Sequence, residues 1–599
     1  MPYLPELTAG EQSRAMTETF LGYNHNLRIA EGEWYDEQNL TSAHYPMFSQ
    51  RPPRSIYLQE TENRQVDALN GILAKDALAW IEGSQLYYNG YAVSGVTLST
   101  KDDMLPKQMV SMGAYLCIFP DGVYVNTADL TDCGHMAADF TTSGNVTFTP
   151  CNLDGQPYKD VTTSASEPAS PTNGMLWLDT SQSVHVLKQF SEASGTWAEI
   201  VTVYTKISAS NIGKQFKDYD GVTISGIAYS GSDTALKGQL EALNTDAILY
   251  AVSDDALMVV GLIDQAYTQT SGSVRIERKV PKMNYVCESN NRLWGCYYGF
   301  SSNGTLNEIY ACKLGDFKNW NCFMGLSTDS YIVSVGTDGD FTGCIAFQGY
   351  PVFFKENYIH KLYGSYPGNF QLQTTACRGV QKGCANSLSI VNEVLYYKSR
   401  ADVCAYDGSL PTGVSSQLGE VLYGSAAAGT YGGRYYVSML DGDGKWSLFS
   451  YDTARGVWHR EDDLHVSQFA AWGDSLFVID KGENRILDLN GRAGTQESVA
   501  EIEWRAESGL IGYEMIDRKY VSRFNFRMRM GEGAKCTLHM QYDSDGVWRE
   551  QGTVQSAGTA TFMLPVIPRR CDHFRIRLTG NGDVKIYSMA KIVEQGSDG

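Results

Sequence analysis

The feature that most constrains this chain is a recurring short aromatic strand followed by a Gly/Asp turn, through most of its middle. Leu293-Trp294-Gly295-Cys296-Tyr297-Tyr298, Val394-Leu395-Tyr396-Tyr397, Arg434-Tyr435-Tyr436-Val437 and Ser475-Leu476-Phe477-Val478-Ile479-Asp480 are examples. A turn and a second short strand follow each, as in Ser447-Leu448-Phe449-Ser450-Tyr451-Asp452. The pattern does not settle into a helical period. Units of four short strands recurring every ~40–50 residues indicate β-propeller blades. A closed ring of blades hides most strand edges, which would otherwise pair with other chains. The expected fold is all-β: a six- or seven-bladed β-propeller with an inserted small β-rich domain and a C-terminal β-sandwich.

Composition fits that class. Tyr outnumbers Phe, 37 to 22, and glycine is abundant at 59. Tyr suits strand surfaces with one wet end, and Gly suits the many turns. The net charge of −20 excludes phosphate binding over the whole surface. The thirteen cysteines are odd in number and lack zinc spacing, so buried free thiols in a reducing compartment are expected. Met1-Pro2-Tyr3-Leu4-Pro5-Glu6 does not open a signal peptide, and no apolar run reaches the length of a membrane span. Synthesis and folding in the cytoplasm, without membrane insertion, are expected.

Five segments follow from the pattern. Residues 1–60 read as an extended N-terminal arm, dense in turn residues, with Thr8-x-x-Glu11 capping a short helix toward Phe20. Such an arm packs along its own body or a neighbouring subunit. Residues 61–129 hold the first blades, with hairpins at Gly83-Ser84 and Asp121-Gly122. Residues 130–283 interrupt the rhythm as a β-rich decoration domain, with a Ser/Pro linker at 164–171 and a helix near Leu236–Leu243. Blades resume over 284–495. From 496 to 599 strict alternation returns, with Phe524, Phe526, Met528 and Met530 on one face and Arg523, Arg527 and Arg529 on the other. Alternation of that kind marks an antiparallel sandwich with one wet face.

Catalytic signatures are missing from the sequence. Asp441-Gly442-Asp443-Gly444 and Asp543-Ser544-Asp545-Gly546 resemble pieces of calcium loops but lack the distal Glu. They read as turns. The nine histidines are scattered singly, with no zinc, nucleophile-elbow or phosphate-loop motif. No enzyme activity, cofactor or metal is expected.

Three segments resemble virion proteins of short-tailed phages. One is the arm, from Gly22-Tyr23-Asn24 through Asn39-Leu40-Thr41-Ser42 to Arg51. Another is Asn291-Arg292-Leu293-Trp294-Gly295 with Ile309-Tyr310-Ala311. The third is Pro565-Val566-Ile567-Pro568-Arg569-Arg570 running on to Leu578. Together they resemble the tail hub, nozzle or packaged-DNA stabilisation type of β-propeller protein. The resemblance implies a structural tail protein in a ring of its own copies, expected to be a hexamer. The ring would meet the portal or adaptor and other tail proteins, and genomic DNA would pass through its lumen without sequence-specific contact. Localisation would be the virion tail, after assembly in host cytoplasm.

Interface candidates are Tyr23, Trp34 and Tyr45 on the arm and Arg523, Arg527, Arg529, Arg569 and Arg570 in the sandwich. Arginine is favoured there because its planar fork pairs with carboxylates and phosphates at two points. The alternative is a tail-associated glycan or receptor binder, or a glycosidase on a propeller scaffold, with Trp177, Trp197 and Trp458 as the glycan contacts.

Overall fold

The computed structural model describes residues 12–100, 106–302, 304–513 and 517–595. The described residues are all-β apart from one α-helix and short 3-10 turns. Six four-stranded meanders lie at 69–92, 108–135, 285–334, 343–376, 389–413 and 423–462. A seventh sheet, at 466–488, gains its fourth strand from Ser55–Leu58. Four-stranded sheets of this kind are the strand plan of β-propeller blades, and the last is completed from near the N-terminus. Two compact units are present: Met1–Met109 with Thr337–Lys361 and Thr374–Gly599, and Val110–Gly336 with Leu362–Gln373.

In the first unit the closing strand pairs antiparallel with Arg485–Asp488, setting Ser55 opposite Asp488 and Leu58 opposite Ile486. Charge pairs flank it. The buried Arg54 guanidinium meets Glu461 at 2.8 Å and Asp462 at 2.5 Å, and Arg51 pairs with Glu497.

The C-terminal sandwich consists of two six-stranded sheets, and the arm supplies five of those twelve strands. Gln12–Thr17 and Phe48–Gln50 pair with Val584–Gln595, and Leu40–Thr41 pairs with Phe48–Gln50. Glu33–Gln38 pairs with Glu503–Ser508, and Gly22–Tyr23 lies beside it. Phe20, Trp34, Leu40 and Phe48 enter one core with Trp504, Phe524, Phe526, Leu538 and Ile576. The arm is therefore an integral part of the sandwich, because its apolar residues match the inward face that alternation creates at the other end of the chain. The helix expected toward Phe20 is instead the strand Gln12–Thr17, held by its ladder to Val584–Gln595. Its proposed cap residues, Thr8 and Glu11, lie outside the described residues.

In the second unit the insertion runs between the sheets ending at His135 and beginning at Tyr285. The expected start at 130 falls inside the blade strand Asp129–His135, which lacks the aromatic signature of its neighbours. Three sheets and the helix Thr234–Ala242 make up the insertion. Asp233 caps the helix by accepting from the Ala235 and Leu236 N–H groups. Leu236 and Leu240 are buried in the insertion's core.

The insertion is latched to the segment following the 285–311 strands. Asn319, fully buried, donates to the Tyr219 carbonyl at 2.7 Å and accepts the Gly221 N–H at 3.1 Å. Gly221 is required there, since a Cβ would lie 2.2 Å from the Asn321 carbonyl oxygen. At the neck, Arg278 donates from Nε and Nη2 to the Met136 carbonyl, both at 3.1 Å, and from Nη1 to buried Asp220 at 2.5 Å.

Candidate assembly surface

The strand Lys519–Met530 carries the clearest unpartnered charge. Its register against Val584–Gln595 and Gly558–Pro565 places Phe524, Phe526, Met528 and Met530 inward. Arg523, Arg527 and Arg529 are exposed on the outer face. A bulge between Val521 and Arg523 sets this phase. At about 3.4 Å per residue, Arg527 and Arg529 lie ~7 Å apart along the strand and Arg523 lies ~14 Å from Arg527. The three guanidiniums thus form a row. Lys585, opposite Arg529 on the next strand, extends it. Among the described residues no ion pair engages Arg523, Arg527 or Arg529; Arg523 makes only a 3.8 Å contact with the sulfur of exposed Met563. The pKa of nearby His44 is lowered below the ordinary histidine value, chiefly by desolvation and then by Lys585 and more weakly Arg529, with Asp583 opposing them.

The arginines of the opposite sheet form ion pairs within the chain. Arg575 and Arg577 converge on Glu507 at 3.3 and 2.8 Å, and Arg577 also lies 4.0 Å over the Trp548 ring. Arg505 pairs with Asp36 at 2.5 Å. Arg569 stands 4.0 Å from Asp545 and 5.7 Å over the Tyr542 ring, so its neighbours lie on the turn Asp543–Gly546 and not in the row. Arg570 is exposed in the same loop as Arg569. Sequence reasoning found the row but missed Lys585, because cross-strand register is not written in either strand alone.

The arm candidates occupy different positions from those expected. Trp34 is 2 % exposed and packs 5.3 Å from Phe48. Tyr23 is buried beside Phe449, with its phenol pKa raised chiefly by desolvation. Both belong to interior packing of their own chain and are not free for a subunit contact. Tyr45 is partly exposed, with the Arg455 guanidinium 5.1 Å over its ring.

Of the tryptophans proposed for glycan contact, two are buried and one is half-buried. Trp458 is fully buried and donates Nε1–H to the Val414 carbonyl at 2.8 Å. Trp177 is buried and packs edge-on against Trp197 at 5.3 Å. Trp197 is half-buried and donates to Glu167 at 3.1 Å. The core of the small sheet is Leu178, Leu187 and Val203; Trp177 and Trp197 pack outside it, on each other and on Phe190, and Trp458 braces a blade.

The Asp-Gly segments are turns. Asp441 accepts the N–H groups of Asp443 and Lys445, and Asp543 those of Asp572 and His573. Among the described residues no three His, Cys, Asp or Glu side chains converge as a metal site. No helix there is long and apolar enough to cross a membrane.

No family model and no curated protein matches this chain. Among solved structures, an exo-β-1,3-galactanase from Phanerochaete chrysosporium is similar at 10% identity, covering 50% of this chain and 95% of that one, with a TM-score of 0.20. Trypanosoma rangeli sialidase is similar at 9% identity over 68% of this chain and 94% of its own, with a TM-score of 0.21. Likeness at this level assigns neither activity nor substrate.

Proposed function

We propose that this chain is a structural subunit of a short-tailed phage tail, acting as a ring of its own copies that seals and conducts the genome below the portal. The observation that carries the reading is the row Arg523, Arg527, Arg529, exposed and without ion-pair partners among the described residues, on a chain of net charge −20. Three guanidiniums spaced along one flat strand face suit a surface that offers carboxylates in series. A neighbouring copy of so acidic a chain offers them. A patch that pairs with a different patch on the next copy generates a ring when the rotation closes. The reading gives the protein no catalytic role.

The test is the double reversal Arg527→Glu, Arg529→Glu, followed by sedimentation and by its incorporation into particles. Assembly is expected to fail while the monomer melts within a few degrees of wild type, since exposed sites of this kind shift stability by less than about 0.5 kcal/mol each. Normal assembly of the double variant overturns the assignment. If the variant assembles but particles lose DNA, the row faces the genome and not a neighbour.

A further inference from the structure

The turn between the sandwich strands Lys535–Tyr542 and Arg549–Val554 brings a serine into line with a histidine and an aspartate. The assembly reading uses none of the three. Ser544 Oγ lies 2.7 Å from His573 Nε2, and His573 Nδ1 lies 3.0 Å from Asp572 Oδ2. The carboxylate sets the imidazole tautomer. With Nδ1–H donating to Asp572, Nε2 turns its lone pair to the Ser544 hydroxyl. The Asp572 pKa is held below the ordinary carboxylate value, first by this bond to His573. A hydroxyl bonded to an imidazole that a carboxylate orients is the arrangement of an activated nucleophile, recognised by geometry and not by chain order.

The fold holds the three groups from several sides. Asp543 N–H donates to the His573 carbonyl at 3.0 Å, and Asp543 Oδ1 accepts the N–H groups of Asp572 at 2.7 Å and His573 at 3.3 Å. These bonds tie the serine's turn to the histidine's segment. The Tyr513 ring stacks on the imidazole, with centroids 5.5 Å apart and planes 26° from parallel. Asp545 N–H closes the turn on the Tyr542 carbonyl at 3.0 Å, with Asp543 at φ 49° and Ser544 at φ 53°. Both are left-handed, as in a type I′ turn, where Asn-Gly is the favoured pair. A serine held at the glycine position is strained, and strain of this kind collects at functional sites. Among the described residues the N–H groups of Ser544 and Gly546 meet no acceptor, so they are free to donate to a developing oxyanion. Asp545, next in the chain, is paired with Arg549 at 2.7 Å, so its charge does not stand unopposed against that anion.

We propose that Ser544 and His573 are the catalytic residues of an open esterase site, with Asp572 as a positioning residue. Ser544 Oγ bonds to the carbonyl carbon of the ester while His573 Nε2 takes the hydroxyl proton. The bond from that carbon to the alkoxy oxygen then breaks, and His573 gives the proton to the departing alcohol. Water, giving a proton to His573, attacks the acyl-serine; the carboxylic acid leaves and the Ser544 hydroxyl regains its proton. Ser544 and Asp572 are exposed and His573 is partly so, and solvent therefore screens the charge stabilisation that an enclosed site supplies. An amide, with its poorer leaving group, demands more of that stabilisation than an ester does. The whole of 543–547 is exposed, which offers a long acyl chain little surface to bind. The substrate class is therefore a small acyl ester.

The experiment treats the full chain with p-nitrophenyl acetate and, separately, with diisopropyl fluorophosphate, and maps the labelled residue by mass spectrometry. Turnover of the acetate is expected, with label on Ser544 ahead of the other serines. Ser544→Gly, which suits the left-handed turn, should keep wild-type melting and lose both, leaving only the background reactivity of an exposed histidine. His573→Gln should slow both by ~100-fold or more, the usual contribution of a positioned general base. Asp572→Ala should slow labelling of Ser544 at unchanged melting, and Asp572→Glu should restore it in part, which a role in folding alone would not produce. If His573→Gln melts early, Ser544→Gly and the labelled position still decide. Absence of turnover, turnover that survives Ser544→Gly, absence of label at Ser544, or labelling at the wild-type rate in a folded His573→Gln overturns the proposal.

Discussion

His360 shows how one buried side chain ties this fold to pH. It is fully buried, bridging Thr337 Oγ1 at 3.0 Å and Thr374 Oγ1 at 2.9 Å. Desolvation, with a smaller contribution from Lys355, lowers its pKa to about 4. The folded protein therefore binds fewer protons here than the unfolded chain between about pH 6.5 and 4. The stability His360 contributes is whole above pH 6.5 and is lost as pH falls through that window, by up to ~3 kcal/mol. The urea midpoint of wild type should drop more steeply over this range than that of His360→Gln; parallel profiles would show that His360 does not titrate in this way. Trp34 gives a second case at this scale. As a core residue its replacement by Ala should destabilise the sandwich by about 3–5 kcal/mol, read from denaturant unfolding. A loss below ~0.5 kcal/mol would return it to the surface role its composition suggested. Trp34 and Trp458 were legible as important aromatic anchors but not as buried ones. An aromatic flanked by turn residues looks the same in sequence whether its cover comes from a partner or from the far end of its own chain.

Single elements were read well wherever their signal was local. The hairpin Leu78–Glu82 with Gln85–Tyr88 turns at Gly83, whose φ of 57° suits glycine. The alternation in Lys519–Met530 gave both the core face and the arginine row. The helix Thr234–Ala242 was legible to within two residues, as Leu236–Leu243. Elements whose stability comes from a distant partner were misread. Gln12–Thr17 has no strand signature of its own and is a strand because Val584–Gln595 offers an edge. The insertion's latch is equally invisible, since Asn319 lies about 100 residues from Tyr219 and Gly221. Asn319→Ala should leave the Tyr219 carbonyl and the Gly221 N–H unpaired, costing about 1–3 kcal/mol locally. Hydrogen exchange should then quicken at 219–221 while the sandwich strands keep wild-type protection. Unchanged exchange at Gly221 would show that the latch carries no stability.

For the whole molecule, the consequence of the arm is that the two chain ends fold together. Deleting 1–55 would remove Phe20, Trp34, Leu40 and Phe48 from the sandwich core and Arg51 and Arg54 from the closing strand's ion pairs. The truncated chain is expected to expose apolar surface and lose a calorimetric transition. A truncated chain with wild-type melting would show that the arm is dispensable to its own body, as a subunit-bridging arm would be. By itself the sequence determined the all-β class, the blade rhythm, the presence of an insertion and the alternation of the C-terminal strands. Those follow from local period and turn chemistry, which act within a few residues. Only the tertiary structure decided that Ser55–Leu58 completes the last blade, that five arm strands belong to the sandwich, and that Arg575 and Arg577 are paired while Arg523, Arg527 and Arg529 find no ion pair among the described residues. Those outcomes depend on which strand edges and which charges meet across hundreds of residues, and backbone pairing of that range leaves no period in the chain.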